Sequence, residues 1–330
     1  MNTLKKEYKG ILLSLIIGLM AYGANHFLPD VFVISSIILA LFLGMLLGNL
    51  WKIPADFKTG IGFTSGKLLE LSILFLAFSI SYTHIAEIGG ASFGIIAVMV
   101  LLVLLFTFYF ARKMKCPGST GWLVGFGTAI CGSSAIAALS PSVTKDKEDV
   151  GIAMAVVNLL GSVGMVVLPF LFAEMHLDVN QMGLLIGGSL HSVGNVAGAA
   201  YSVNDQVGEA AITIKLARVA LLSPGLIFFN FLVNRGKVSH WKQHFKLPWY
   251  LWSFIGITIL SSMVELPEPF LKVMSTSGKI ILTVAMAAIG LKISFKTLFK
   301  SGQKGIVFGL AIFAIQLVIL VGALLLFSLN

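Results

Sequence analysis

Residues 124–141 read VGFGTAICGSSAIAALSP, an apolar stretch interrupted by Gly125, Gly127 and Gly132, a cysteine and a run of hydroxyls. Three glycines within eight residues loosen a helix. Thr128, Ser133 and Ser134 supply hydroxyls that can satisfy backbone groups freed by a break, so a discontinuous helix is expected here. The second half of a broken membrane helix begins with unpaired N–H groups at the positive end of its dipole, which suits an anion, while the unwound carbonyls suit a cation. The plainer reading is close packing through small residues, since Gly, Ala and Ser are common where membrane helices touch. Thr128, Cys131, Gly132, Ser133 and Ser134 are the candidate substrate-binding residues of this stretch.

The rest of the chain sets that stretch in a bilayer. Of 330 residues, 57% are hydrophobic and 11% charged, with a mean hydropathy of +0.96, too apolar for one soluble core and a wet surface. The expected fold class is an all-α polytopic membrane protein, one integral domain over 1–330 with approximate repeat halves 31–173 and 181–328. About eleven transmembrane helices of roughly 20 residues fit the length. The expected spans are 11–28, 31–51, 66–86, 91–111, 121–141, 150–173, 181–203, 209–233, 248–265, 270–291 and 305–328. Residues 1–28 have the basic-then-apolar form of a secretory signal. The apolar run continues past Ala21, Tyr22 and Gly23, so it reads as a retained first helix.

Lys and Arg number 23 against 14 Asp and Glu, a formal charge of +9. These charges gather at helix ends rather than on one basic face, which argues against nucleic acid. With a cytoplasmic N-terminus, the inside connections hold Lys5, Lys6, Lys9, Lys52, Lys58, Lys67, Arg112, Lys113, Lys115, Arg235, Lys237, Lys242, Lys246, Lys292, Lys296, Lys300 and Lys304. The outside ones hold Lys145, Lys147 and Lys272, a bias that predicts N-in, C-out and an odd number of crossings. The connection 174–178 is the exception, with no Lys or Arg. Cys116 and Cys131 sit in different surroundings, one beside a basic helix end and one deep in an apolar segment, and suggest neither a disulfide nor a zinc site. No metal or cofactor is expected.

An internal echo runs from Ser65, SGKLLELSILFLAFSISY, to Ser277, SGKIILTVAMAAIGLKISF. As the third and tenth spans the copies would point in opposite directions, the inverted-repeat pattern of secondary transporters, unless two apolar segments simply share a small alphabet.

A second interrupted segment, 187–200, reads GGSLHSVGNVAGAA. His191 is placed one turn from Asn195 and beside Ser192, so the histidine and the amide share a helix face. An ionisable group there marks a pathway or is a histidine hydrogen-bonded between helices; if it titrates near neutrality it could couple protons to transport. In the next span Lys215 and Arg218 lie about a turn apart. They meet an anionic substrate, pair with Asp205 and Glu209, or snorkel to the interface. Asn158 adds an amide at mid-depth that could ligate a coupling ion, as could His191, or glue two helices.

With GTAICGSSAIAALSP at 127–141, GGSLHSVGNVAGAA at 187–200, KLARVALLSP at 215–224 and AMAAIGLKIS ending at Ser294, the chain resembles the YeiH-type family of bacterial inner-membrane proteins, to which sulfate export is ascribed. The resemblance covers essentially the whole chain. That family is similar to the broader group of bile-acid/sodium symporters, which implies two inverted repeats with broken helices crossing at the midplane, and export of a small anion. Three positions depart from the family pattern. An acidic residue and a glutamine are usual where Ser192 and Asn195 stand, and a basic residue is usual at Ser79, although Lys292 keeps one in the second copy.

The function expected is a secondary transporter, not an enzyme, that moves a small anion such as a sulfur oxyanion or sulfonate across the bacterial inner membrane by alternating access. Its partners would be that anionic solute, membrane lipid, and a sodium ion or proton as coupling ion; a homodimer is compatible with this. A cation-coupled organic-anion symporter of the same fold is the alternative. An intramembrane enzyme built on His191 or Cys131 finds no HExxH, paired-aspartate or GxSxG pattern to support it, and a passive channel leaves the echo unexplained.

Overall fold

A computed structural model describes residues 4–27, 35–80, 82–113, 118–233, 248–264, 266–293 and 303–328, and these are helical with short connections. In chain order the helices are α1 (Leu4–Phe27), α2 (Ser36–Leu50), α3 (Ala55–Phe63), a wide π turn (Thr64–Leu68), α4 (Leu69–Ala77), α5 (Tyr82–Lys113, kinked at Gly89), α6 (Gly118–Ala129), α7 (Ser133–Val143) and α8 (Lys147–Ala173). Then follow α9 (Val179–Ser189), α10 (Val193–Val203), α11 (Asp205–Ala220), α12 (Leu222–Val233), α13 (Trp249–Met263), α14 (Glu268–Lys292) and α15 (Gln303–Ser328).

The all-α polytopic class holds, but the count of eleven spans is not reached by length and apolarity. Among the described residues six helices are long and apolar enough to cross a membrane, or seven if α11 and α12, bent 42° apart, form one span. The other expected spans fall short for two physical reasons. The 15-residue helices α2 and α13 reach only roughly 22 Å at 1.5 Å per residue, less than a hydrocarbon core. The pairs α6–α7 and α9–α10 are interrupted in their middles.

The third span also begins earlier than expected. Pro54 caps α3 and Asp56 sits in its first turn, so Lys58 and Lys67 ride on helix rather than in a connection. Lys67 pairs with Glu70 at 2.9 Å, and Lys9 with Asp56 at 3.1 Å. Lys115, Cys116, Arg235, Lys237, Lys242, Lys246, Ser294, Lys296 and Lys300 lie outside the described residues.

The chain divides into two compact units. The first comprises Met1–Ile85, Ala197–Glu209 and Trp252–Phe295. Here α14 packs tightly on α2: a Cβ on Gly44 or Gly290 would overlap the backbone of the other helix. The two copies of the echo are neighbours in this unit. Phe78 meets Phe270 edge-on with centroids 5.5 Å apart, Gly278 lies against Leu76, and Lys292 Nζ donates to Ser65 Oγ at 3.2 Å. As numbers fall along one copy they rise along the other, so the repeats run antiparallel.

The second unit comprises Ala86–Val196, Ala210–Leu251 and Lys296–Asn330. Its core is α6 and α8 packed with α15, where Gly309 lies against Val124, Val156 and Leu160. The Asp149 carboxylate accepts the hydroxyls of Ser119 and Thr120, tying the start of α8 to the start of α6. Both interruptions begin within this unit.

Candidate functional site

The first break consists of Ile130, Cys131 and Gly132, between α6 and α7. Gly132 takes φ 71°, ψ −130°, a conformation essentially closed to residues with a Cβ, and its N–H donates to Gly127 O at 2.8 Å. The second break consists of Leu190, His191 and Ser192, between α9 and α10, with Leu190 extended. Ser192 restarts the helix: its hydroxyl accepts the Asn195 N–H at 3.1 Å and its carbonyl the Val196 N–H at 3.1 Å. The breaks are adjacent, since a Cβ on Gly132 would lie 3.4 Å from the His191 carbonyl oxygen.

Small-residue packing is also present, and it serves the breaks. A Cβ on Gly187 would overlap the carbonyl of Ala211, so α9 touches α11 at its backbone. That contact brings the next turns of α11, with Lys215 and Arg218, over the end of α9. Lys215 Nζ donates to the carbonyls of Ile130 (2.8 Å), Leu190 (2.8 Å) and His191 (2.7 Å). Arg218 donates to Thr128 (2.7 Å) and Ala129 (3.0 Å) through Nη2, and to Gly187 (3.1 Å) and Leu190 (2.9 Å) through Nη1. Both side chains are 0% exposed, so neither snorkels, and their partners are these carbonyls rather than Asp205, which pairs with Lys279 at 2.6 Å. Two cations therefore close the C-terminal ends of both first half-helices. All three Lys215 donors are thereby engaged.

Gln316 of α15 completes the cap. Its Nε2 donates to Gly188 O (2.6 Å) and Ser189 O (3.0 Å), so five consecutive carbonyls at the end of α9, from Gly187 to His191, are held by three side chains. The sequence reading did not single out Gln316. The signal was a lone amide in an otherwise apolar helix, the same signal that marked Asn158.

His191 sits in the break rather than on a helix face one turn from Asn195, which corrects that expectation: a helix interrupted at 190–192 has no common face through it. Its ring lies against Phe313 with centroids 4.8 Å apart, is 1% exposed, and among the described residues neither ring nitrogen has a hydrogen-bond partner. His191 and Asn195 nonetheless converge, because both border Gly161 of α8.

The remaining candidates divide by exposure. Thr128 is buried and its hydroxyl donates to Val124 O at 2.9 Å within its own helix. Cys131 is a buried free thiol, and Ser134 Oγ lies 3.0 Å from its sulfur. Ser133 Oγ donates to Asn158 Oδ1 at 2.8 Å. Ser134 and Asn158 are exposed, Ser133 and Ser192 half-buried, and Asn158 stands near the midpoint of the 27-residue α8. A hydroxyl and amide surface at that depth is costly against lipid tails and fits a wet cavity.

The electrostatics follow from the parts. Each helix end carries a partial charge of about half an elementary unit, so two C-terminal ends offset about one of the two cations. The N-terminal ends of α7 and α10 add positive potential. No Asp or Glu occurs in α6, α7, α9 or α10 to oppose it. Among the described residues no cluster of three His, Cys, Asp or Glu is placed to hold a metal ion. The two adjacent breaks thus carry a net positive field.

The family model described as Conserved hypothetical protein 698 matches residues 9–309. UPF0324 membrane protein YdhF of Lactococcus lactis is 30% identical over 332 residues, covering 97% of this chain and 98% of the relative. A UPF0324 membrane protein of Lactiplantibacillus plantarum is 31% identical, covering 94% of each chain. A solved sodium proton antiporter from Methanocaldococcus jannaschii aligns over 94% of this chain and 99% of its own at 16% identity, with a TM-score of 0.29, too low to establish a common fold.

Proposed function

This chain belongs to the family described as Conserved hypothetical protein 698, is a multi-pass membrane protein by its apolar helices and its relatives, and we propose that it is a secondary transporter moving a small anion across the bacterial inner membrane by alternating access. One observation carries the reading: two adjacent helix breaks, their carbonyl ends capped by the buried Lys215 and Arg218, beside a polar surface of the half-buried Ser133 and the exposed Ser134 and Asn158. In such a geometry the anion meets the N–H groups opening α7 and the hydroxyls of Ser133 and Ser134, with Ser192, Asn195 and His191 on the neighbouring break. Asn158 and His191 are the groups placed to sense a coupling ion. A sulfur oxyanion or sulfonate is the solute class to try first.

The test has two stages. Purified protein is heated with sulfate, sulfite, thiosulfate, sulfonates and carboxylates, with and without sodium, to find the anion that raises its melting temperature. The protein is then reconstituted in sealed vesicles, where that anion should show saturable uptake and counterflow. His191→Ala and Ser133→Ala should each lower flux by about tenfold, the loss of one charge-assisted or aligned contact, while melting within a few degrees of wild type. Wild-type flux in both variants overturns the site.

A further inference from the structure

Two polar side chains of the second break, His191 and Asn195, converge on one missing side chain. Gly161 stands on α8 one turn beyond Asn158, on the same face. A Cβ built there would overlap Nδ2 of Asn195 and would lie 3.3 Å from the Cβ of His191. The obstructed atom is the far end of a flexible amide, not backbone, so a methyl group at 161 would displace the amide and leave the helices in place. Asn195 and His191 are both buried, and among the described residues the His191 ring nitrogens have no hydrogen-bond partner. Asn158, already joined to Ser133, lies at the other end of the same turn.

We propose that Gly161 is a specificity-determining residue of the anion site: the slot it leaves receives the Asn195 amide, and the volume at position 161 sets how far that amide projects toward the solute and which size of anion fits. The inference rests on the transport reading. A methyl-sized change in a binding slot discriminates between related ligands by roughly tenfold or more. Gly161→Ala should therefore alter the ratio of uptake between a compact and a bulky anion rather than scale both equally.

The experiment compares wild type, Gly161→Ala, Asn195→Ala and the double variant in sealed vesicles, with inorganic sulfate and benzenesulfonate as probes beside whichever anion the thermal panel selects. The result expected is a change of about tenfold in the ratio of apparent affinities in Gly161→Ala, a melting temperature close to wild type, and no further change when Gly161→Ala is added to Asn195→Ala, because the displaced amide is then absent. Equal loss for every anion, or full additivity in the double variant, overturns the proposal and reduces Gly161 to a packing residue. No saturable flux of any anion by wild type overturns the transport reading itself, an outcome separate from either. If Gly161→Ala fails to fold, Asn195→Ala alone, which removes the amide the slot receives, must still shift that ratio; an unchanged ratio there overturns the proposal.

Discussion

Lys215 and Arg218 show what a charge does at the centre of a membrane protein when no acid is supplied. Their donors find carbonyls that a broken helix would otherwise leave orphaned, so each break stabilises the cations and the cations stabilise the break. Lys215→Met would leave the carbonyls of Ile130 and His191 without a partner, Leu190 keeping Arg218, and by analogy with breaking a buried ion pair it should destabilise the protein by about 3–5 kcal/mol, seen as a large fall in melting temperature in detergent. His191→Ala removes a ring that satisfies nothing, so its effect should fall on flux instead. The contrast between these two residues was only half legible in the sequence. That both were polar in apolar spans was plain; that one is fully bonded and the other unpartnered depends on which carbonyls lie within 3 Å.

At the scale of elements, the interrupted helices were legible because glycine, serine and histidine act locally on the backbone. Gly132 is the clearest case, since its φ of 71° with ψ −130° is open to glycine and strained for anything else. Gly132→Ala should cost about 1–3 kcal/mol, read as a lowered melting temperature together with lost flux. Gly187→Val tests a different dependence: its side chain would meet the carbonyl of Ala211, and overpacking there should cost about 1–3 kcal/mol by lifting α11, with its two cations, off α9. If that variant melts like wild type, the backbone contact does not position Lys215 and Arg218. The third span starts at Ala55, eleven residues before the expected 66, where Lys58 and Lys67 suggest a connection. Both ride on helix, and Lys67 is ion-paired to Glu70.

For the whole molecule, the asymmetry of Lys and Arg among the connections predicts a cytoplasmic N-terminus and an external C-terminus. A C-terminal alkaline phosphatase fusion should be active and a C-terminal green fluorescent protein fusion dark; the reverse would overturn the external C-terminus. The count of crossings was the least legible feature, because α2 and α13 are too short and α6–α7 and α9–α10 too interrupted for length and apolarity to register them. By itself the sequence determined the all-helical membrane class, the places where two helices break, and the antiparallel echo at Ser65 and Ser277, since apolar runs, helix-breaking residues and repeats are properties of neighbouring residues. Only the tertiary structure decided that the two breaks lie side by side, that Lys215 and Arg218 hold both carbonyl ends from 24 to 90 residues away, and that Gln316, Phe313 and Gly161 belong to the same locus. Those partners are chosen by how helices pack, and packing joins residues whose separation along the chain carries no signal.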